Sequence, residues 1–157
     1  MPTFERSIEI AASPETVWNI VADPSLVPKI FPDVISATSD PPGMAQVGQK
    51  VSVTAKVAGR RIQTTTENTE VVPNKKLVIK QVPGGFMKTF VSTISLEPSK
   101  KGTKVSFETE YEASAGYLGK VLGVLVVNRT VKKNLEVSTE NVKELAELKE
   151  LPGASSG

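Results

Sequence analysis

Hydrophobic and polar positions alternate along most of the first 113 residues, then change to a helical period in the last third of the chain. Thr3 to Ile10, "TFERSIEI", sets Phe4, Arg6, Ile8 and Ile10 against polar neighbours, the period of a strand. "ASPETVWNIVAD" follows with a helix start: Ser13 can cap, Pro14 suits the first helical position, and Val17, Trp18, Ile20 and Val21 form one apolar face. "DPSLVPKIFPD" is interrupted by Pro24, Pro28 and Pro32, so a short second helix is the most it can hold. Trp18 and Phe31 read as core residues. From Val34 to Tyr111 strands and turns repeat. Val51, Val53, Ala55 and Val57 alternate with Ser52, Thr54 and Lys56; "RIQTTTENTEVV" stops at Pro73-Asn74, "KLVIKQV" at Pro83-Gly84-Gly85, "FMKTFVSTISLE" at Pro98, and "TKVSFETEYEA" near Gly116. Tight turns between successive strands predict antiparallel pairing of sequence neighbours.

The closing segment begins with "LGKVLGVLVVN", residues 118 to 128, in which seven of the eleven residues are Leu or Val. From Val124 within it, Val131, Leu135, Ser138, Val142 and Leu145 recur at steps of three, four or seven, one stripe of a helix. No turn residue separates the two parts. The pattern therefore predicts one helix of about thirty residues, ~45 Å long, ending near Leu148. Val121, Val124 and Val127 with Asn128 fall on the side that would meet the sheet. Leu118, Leu122 and Leu125 fall on the side free to meet a ligand, the Pro83-Gly84-Gly85 turn or a partner.

One strand, two short helices, six strands and one long helix make an α+β domain whose antiparallel sheet needs a cover, and the final helix is the only large one. A bent sheet gripping one helix leaves volume toward one end. The side chains predicted to face inward are Val53 and Val57 in one strand and Ile62, Thr64, Thr66 and Asn68 in the next. Phe86, Lys88, Phe90, Ser92, Ile94 and Leu96 form a third set, and Val105, Phe107, Thr109 and Tyr111 a fourth. They mix apolar groups with hydroxyls, an amide and a lysine. Buried polar groups need partners, so a partly wet cavity with a few polar anchors is expected. A one-residue slip in the Thr-rich strand would turn Thr64, Thr66 and Asn68 to water instead.

Composition narrows the chemistry. The chain has 157 residues, a net charge of +2, no cysteine and no histidine. Disulfides and thiolate nucleophiles are excluded, and the commonest general base and metal ligand are missing. Short lysine clusters (Lys75-Lys76, Lys100-Lys101, Lys132-Lys133) without interleaved aromatics read as solvated, which argues against nucleic acid. "MPTFERSIEI" lacks a signal-peptide layout, and no apolar run reaches the ~20 residues of a membrane helix, so the cytoplasm is the expected location.

On "IEIAASPETVWNIVADPSLVPKIFPDV", "NTEVVPNKKL", "ISLEPSKKGTKVSFETEYEA" and "GYLGKVLGVLVVNRTVKKNLEVSTENVKELAEL", the chain resembles the START/polyketide cyclase-like (SRPBCC) superfamily over nearly all of residues 3 to 150. The nearest likeness is to its polyketide cyclase/dehydrase and coenzyme Q-binding branches. The resemblance implies a helix-grip fold: a curved seven-stranded antiparallel sheet around a long C-terminal helix, with two short helices after the first strand. It also implies a hydrophobic ligand such as a lipid, quinone or polyketide, held between sheet and helix; chain length predicts a single domain, residues 1–150, and the small polar residues of 151–157 predict a disordered tail.

Three functional classes stay open. A binder or carrier would use Val53, Val57, Thr64, Thr66, Asn68, Phe86, Lys88, Phe90, Ser92, Phe107, Thr109, Tyr111, Leu118, Leu122 and Leu125 around its ligand. A cofactor-independent cyclase or dehydratase would draw acid and base groups from Glu70, Lys88 and Tyr111, with Asp33 and Tyr117 behind them. In both classes Lys88 either anchors an anionic or carbonyl head group or snorkels out of the cavity mouth. A protein-interaction module would use the apolar start of the last helix. No cofactor and no metal are expected, peripheral membrane contact is compatible with the sequence, and the oligomeric state is open.

Overall fold

The computed structural model describes residues 3–57, 59–83, 87–113 and 121–150, with the side chains of 57, 87, 113 and 121–127 outside the description. Strand β1 (Thr3–Ile10) leads into helix α1 (Pro14–Val21), a 3-10 turn (Pro24–Leu26) and helix α2 (Val27–Ile30). Six strands follow: β2 (Val34–Asp40), β3 (Lys50–Val57), β4 (Arg60–Val72), β5 (Lys76–Gln81), β6 (Met87–Pro98) and β7 (Thr103–Ala113). Helix α3 (Val121–Glu150) closes the described chain. The sheet order is β1-β7-β6-β5-β4-β3-β2, every pair antiparallel, so each hairpin joins neighbours and β1 alone crosses to pair with β7. This is the helix-grip arrangement expected from the sequence.

Local chemistry explains the start of the fold. Ser13 Oγ accepts the Thr16 N–H at 3.3 Å, and Pro14 occupies the first turn, where its missing donor costs nothing. Val17, Trp18, Ile20 and Val21 are buried on one side of α1, as their spacing predicts. They join Ile10, Leu96, Val105, Val142 and Ala146 in one core cluster. Phe31 packs against the same cluster and meets the Phe107 ring at 6.3 Å.

The long helix is fastened mainly at its far end. Glu147 accepts the Ala11 N–H at 2.8 Å and pairs with Lys143 at 2.5 Å. Glu150 accepts the Ser13 N–H at 3.0 Å and the Thr16 hydroxyl at 2.7 Å, placing a carboxylate at the N-terminus of α1. Farther back, Asn141 donates to the Ile30 carbonyl at 2.9 Å and Asn134 to the Asp33 carboxylate at 2.8 Å. The β6–β7 turn closes the same end. Gly102, at φ +146, comes so close to β1 that a Cβ there would lie 2.6 Å from the Ala12 carbonyl oxygen. Thr103 donates its hydroxyl to that oxygen at 2.7 Å.

Candidate functional site

Cross-strand register decides which side chains face α3. Val53 stands opposite Thr64 and Val51 opposite Thr66, while Phe90 faces Tyr111, Ser92 faces Thr109, and Ile94 faces Phe107. Directly opposed residues share a face, so the Thr-rich strand turns Thr64, Thr66 and Asn68 inward and the slipped alternative does not occur. The inner face changes character along its length. Around Ile10, Leu96 and Val105 it is apolar and shut. Toward the ends of β7 and β5 it carries Phe90, Ser92, Thr109, Tyr111 and Gln81.

Tyr111 is the centre of that second region. It is 2% exposed, stacks on Phe4 with ring centroids 6.0 Å apart, and donates its hydroxyl to the Asn128 Oδ1 of α3. Burial pushes its phenol above the ordinary value, so it stays protonated and serves as a donor rather than a base. Asn128 thus meets the sheet, as its place on the helix predicts. On the neighbouring wall, Thr64 donates to Gln81 Oε1 at 3.3 Å. Gln81 and Phe4 are not among the site residues expected from the sequence. The alternation Leu77, Ile79, Gln81 holds a signal for the first, and the register of β1 with β7 brings in the second.

Two of the proposed acid/base residues stand elsewhere. Strict alternation places Lys88 inside, between Phe86 and Phe90. Instead the β6–β7 register shifts between Met87 and Thr89, and the bulge turns Lys88 to Glu112, 3.3 Å away, with 65% of its side chain exposed. Glu70 likewise follows a register shift, between Asn68 and Glu70, and pairs with Lys76 at 2.9 Å on the outer face. Both bulges reverse the parity that strict alternation assigns. Asp33 is engaged by Asn134, while Tyr117, Phe86 and Leu118 lie outside the described residues. Val57, Leu122 and Leu125 lie in elements whose side chains there are outside the description.

Other expected contacts turn out to be framework. Phe107 is wholly buried in the core cluster. Asn68, 3% exposed, donates to Gln49 Oε1 at 2.9 Å. Gln49, fully buried, donates in turn to the carbonyls of Pro41 at 2.8 Å and Gly43 at 3.0 Å, fixing the loop before β3. Gln49 carries no sequence signal, because its partners are backbone groups of an irregular loop. A depression of about 390 Å³ lies over β2–β4, lined mainly by hydroxyl and amide side chains from Ser36 to Thr65, with Val53, Thr64, Val82 and Pro83 also on its wall. It is an open, hydroxyl-lined surface. Among the described residues no group of three metal-ligating side chains occurs. No helix of the described residues is long and apolar enough to cross a membrane.

Comparison with known proteins agrees with this architecture. An aromatase/cyclase, Zhui from Streptomyces sp. R1128, superposes with a TM-score of 0.83 at 18% identity, over 99% of this chain and 98% of its own. TTHA0849 from Thermus thermophilus gives 0.80 at 20% identity, covering 96% and 100%. The di-domain aromatase/cyclase StfQ of the steffimycin biosynthetic pathway gives 0.76 at 16%, covering 92% of this chain and 50% of that protein. At such identities these likenesses establish the fold. No curated protein matches the sequence. The family described as polyketide cyclase/dehydrase and lipid transport matches residues 1–147, which supports a hydrophobic-ligand-binding or cyclase role without choosing between them. The chain belongs to the polyketide cyclase/dehydrase and lipid transport family.

Proposed function

We propose that the protein binds a hydrophobic small molecule bearing a polar oxygen, between the Tyr111 end of the sheet and the N-terminal half of α3. The observation that carries this reading is the Tyr111–Asn128 pair, a neutral donor and an amide bridging sheet and helix beside Phe4, Phe90, Ser92 and Thr109. Aromatic walls with a few placed polar groups are what a small-molecule site requires. The hydroxyls of Ser92, Thr109 and Tyr111 suit a carbonyl or hydroxyl. Lys88, already paired outside, is withdrawn as the head-group anchor. Val53, Thr64 and Thr66 supply the opposite wall, and the apolar residue types at Leu118, Leu122 and Leu125 suit a cover.

A second reading, cyclisation or dehydration of the bound molecule, is favoured by one observation. The Tyr111 phenol, neutral and pushed further from ionisation by burial, would polarise a substrate carbonyl on exchanging Asn128 Oδ1 for it. Native mass spectrometry of the purified protein, followed by organic extraction, tests the binding reading. It predicts a lipophilic molecule in complex or, failing that, uptake of an added fluorescent naphthyl ketone. Finding neither overturns it. Turnover of an extracted ligand that stops in Tyr111→Phe, while binding persists, would select the enzyme.

A further inference from the structure

The β3–β4 hairpin ends in an arrangement that the fold does not need. Lys56 stands directly opposite Arg61, and Arg60 opposite Val57, around a turn containing Gly59 at φ +80. Like charges facing each other across a strand pair are unfavourable. Lys56, Arg60 and Arg61 are exposed, and among the described residues no ion pair holds any of them. Asp33, whose backbone carbonyl accepts the Lys56 N–H, turns its carboxylate away to Asn134. Beside them, Ile35 is the extra residue of the β2 bulge and is 46% exposed. Three exposed cations, with an exposed aliphatic residue on the adjoining strand β2, thus have no counter-charge among the described residues.

Topology fixes where this cluster lies. β3, β5 and β7 run in the same direction and finish at Val57, Gln81 and Ala113, so the cationic hairpin shares the end of the molecule with Tyr111 and Asn128. We infer that the β3–β4 hairpin, through Lys56, Arg60, Arg61 and Ile35, docks on an anionic lipid surface, presenting the Tyr111 end to the membrane from which a hydrophobic ligand would be drawn. The role rests on the ligand-binding reading above; the docking does not. Basic side chains are held near an anionic leaflet by its surface potential, and an aliphatic residue among them enters the headgroup layer. The exposed Ile35 beside the cations fits a lipid surface, whose headgroup layer takes an aliphatic side chain.

The test is flotation with vesicles of phosphatidylcholine and phosphatidylserine in a ratio of about seven to three, against vesicles of phosphatidylcholine alone. The full chain is expected to float with the anionic vesicles, to be released by high salt, and to stay behind with neutral ones. Lys56→Glu/Arg61→Glu should lower partitioning more than tenfold. Lys56→Gln/Arg61→Gln, which relieves the like-charge opposition, should also lose binding while melting no lower than the wild type. Equal flotation on both vesicle types, or undiminished flotation of these variants, overturns the proposal. So does binding of polyglutamate with the same salt and variant dependence but no binding to vesicles. Uptake of the naphthyl ketone without vesicles is measured in parallel and should be unchanged in the variants. Its absence in the wild type would overturn the ligand reading and leave the flotation result standing.

Discussion

The two ends of the same sheet–helix pair are built from different materials. At the β1–α1 end, Ile10, Leu96, Val105, Val142 and Ala146 exclude water, and Glu147 and Glu150 fasten α3 to backbone donors of the opposite element. At the Tyr111 end the same strands and helix bring together a phenol, hydroxyls and an amide, linked by the Tyr111–Asn128 bond. One helix is thus a structural strut along its last half and, in the proposed function, a site wall along its first. Stability and binding become separable by position, because apolar burial supplies most of the folding free energy while placed polar groups supply recognition.

The largest effect should come from the core between the ends. Phe107→Ala removes a fully buried ring and is expected to cost about 3–5 kcal/mol in urea denaturation; a loss near zero would mean the ring faces a ligand cavity after all. Gly102→Ala should cost about 2–3 kcal/mol, since its Cβ meets the Ala12 backbone and its φ is positive. If that variant melts like the wild type, the shut end is looser than its contacts imply.

The carboxylate clasp gives the shut end a pH signature. Backbone N–H donation from Ala11, then the Lys143 ammonium, holds Glu147 below the ordinary value, and N–H donation from Ser13 does the same for Glu150. A carboxylate with a depressed folded-state value contributes stability above its unfolded value and loses it as pH falls through the folded one. Melting temperature should therefore fall more steeply below about pH 4.5 in the wild type than in Glu147→Gln/Glu150→Gln. Identical acid limbs would remove the clasp from the account. The smallest effect is a gain: Ser138 buries its hydroxyl in α3 without a partner among the described residues, so Ser138→Ala should stabilise by about 1 kcal/mol, read from the urea midpoint.

Most of the architecture is legible in the sequence because period and punctuation agree. Ser13-Pro14 marks α1, the Pro and Gly turns set the hairpins, and the Leu135–Ser138–Val142 stripe names the buried side of α3. What misleads is the bulge. One extra residue near Thr89 and another near Glu70 reverse parity, and that suffices to move Lys88 and Glu70 out of the candidate site. The clasp is illegible for a different reason: Glu147 and Ala11 are distant in the chain, and a carboxylate in a charged helix end reads as solvent-facing. Asn68 turns inward as alternation predicts yet serves Gln49, since alternation gives a side chain's direction and says nothing of its partner.

The central claim is that the Tyr111 end recognises ligand while the clasped end holds the fold. Its most direct test is one titration with the fluorescent naphthyl ketone on wild type, Tyr111→Phe and Glu147→Gln, with melting temperatures recorded on the same samples. Tyr111→Phe is expected to bind about tenfold more weakly, since a ligand oxygen can no longer take the phenol proton from Asn128, and to melt lower because Asn128 Oδ1 loses its donor. Glu147→Gln should bind as tightly as the wild type and melt lower in temperature. Equal affinities in wild type and Tyr111→Phe, or affinities that simply follow melting temperature across all three proteins, would contradict the account.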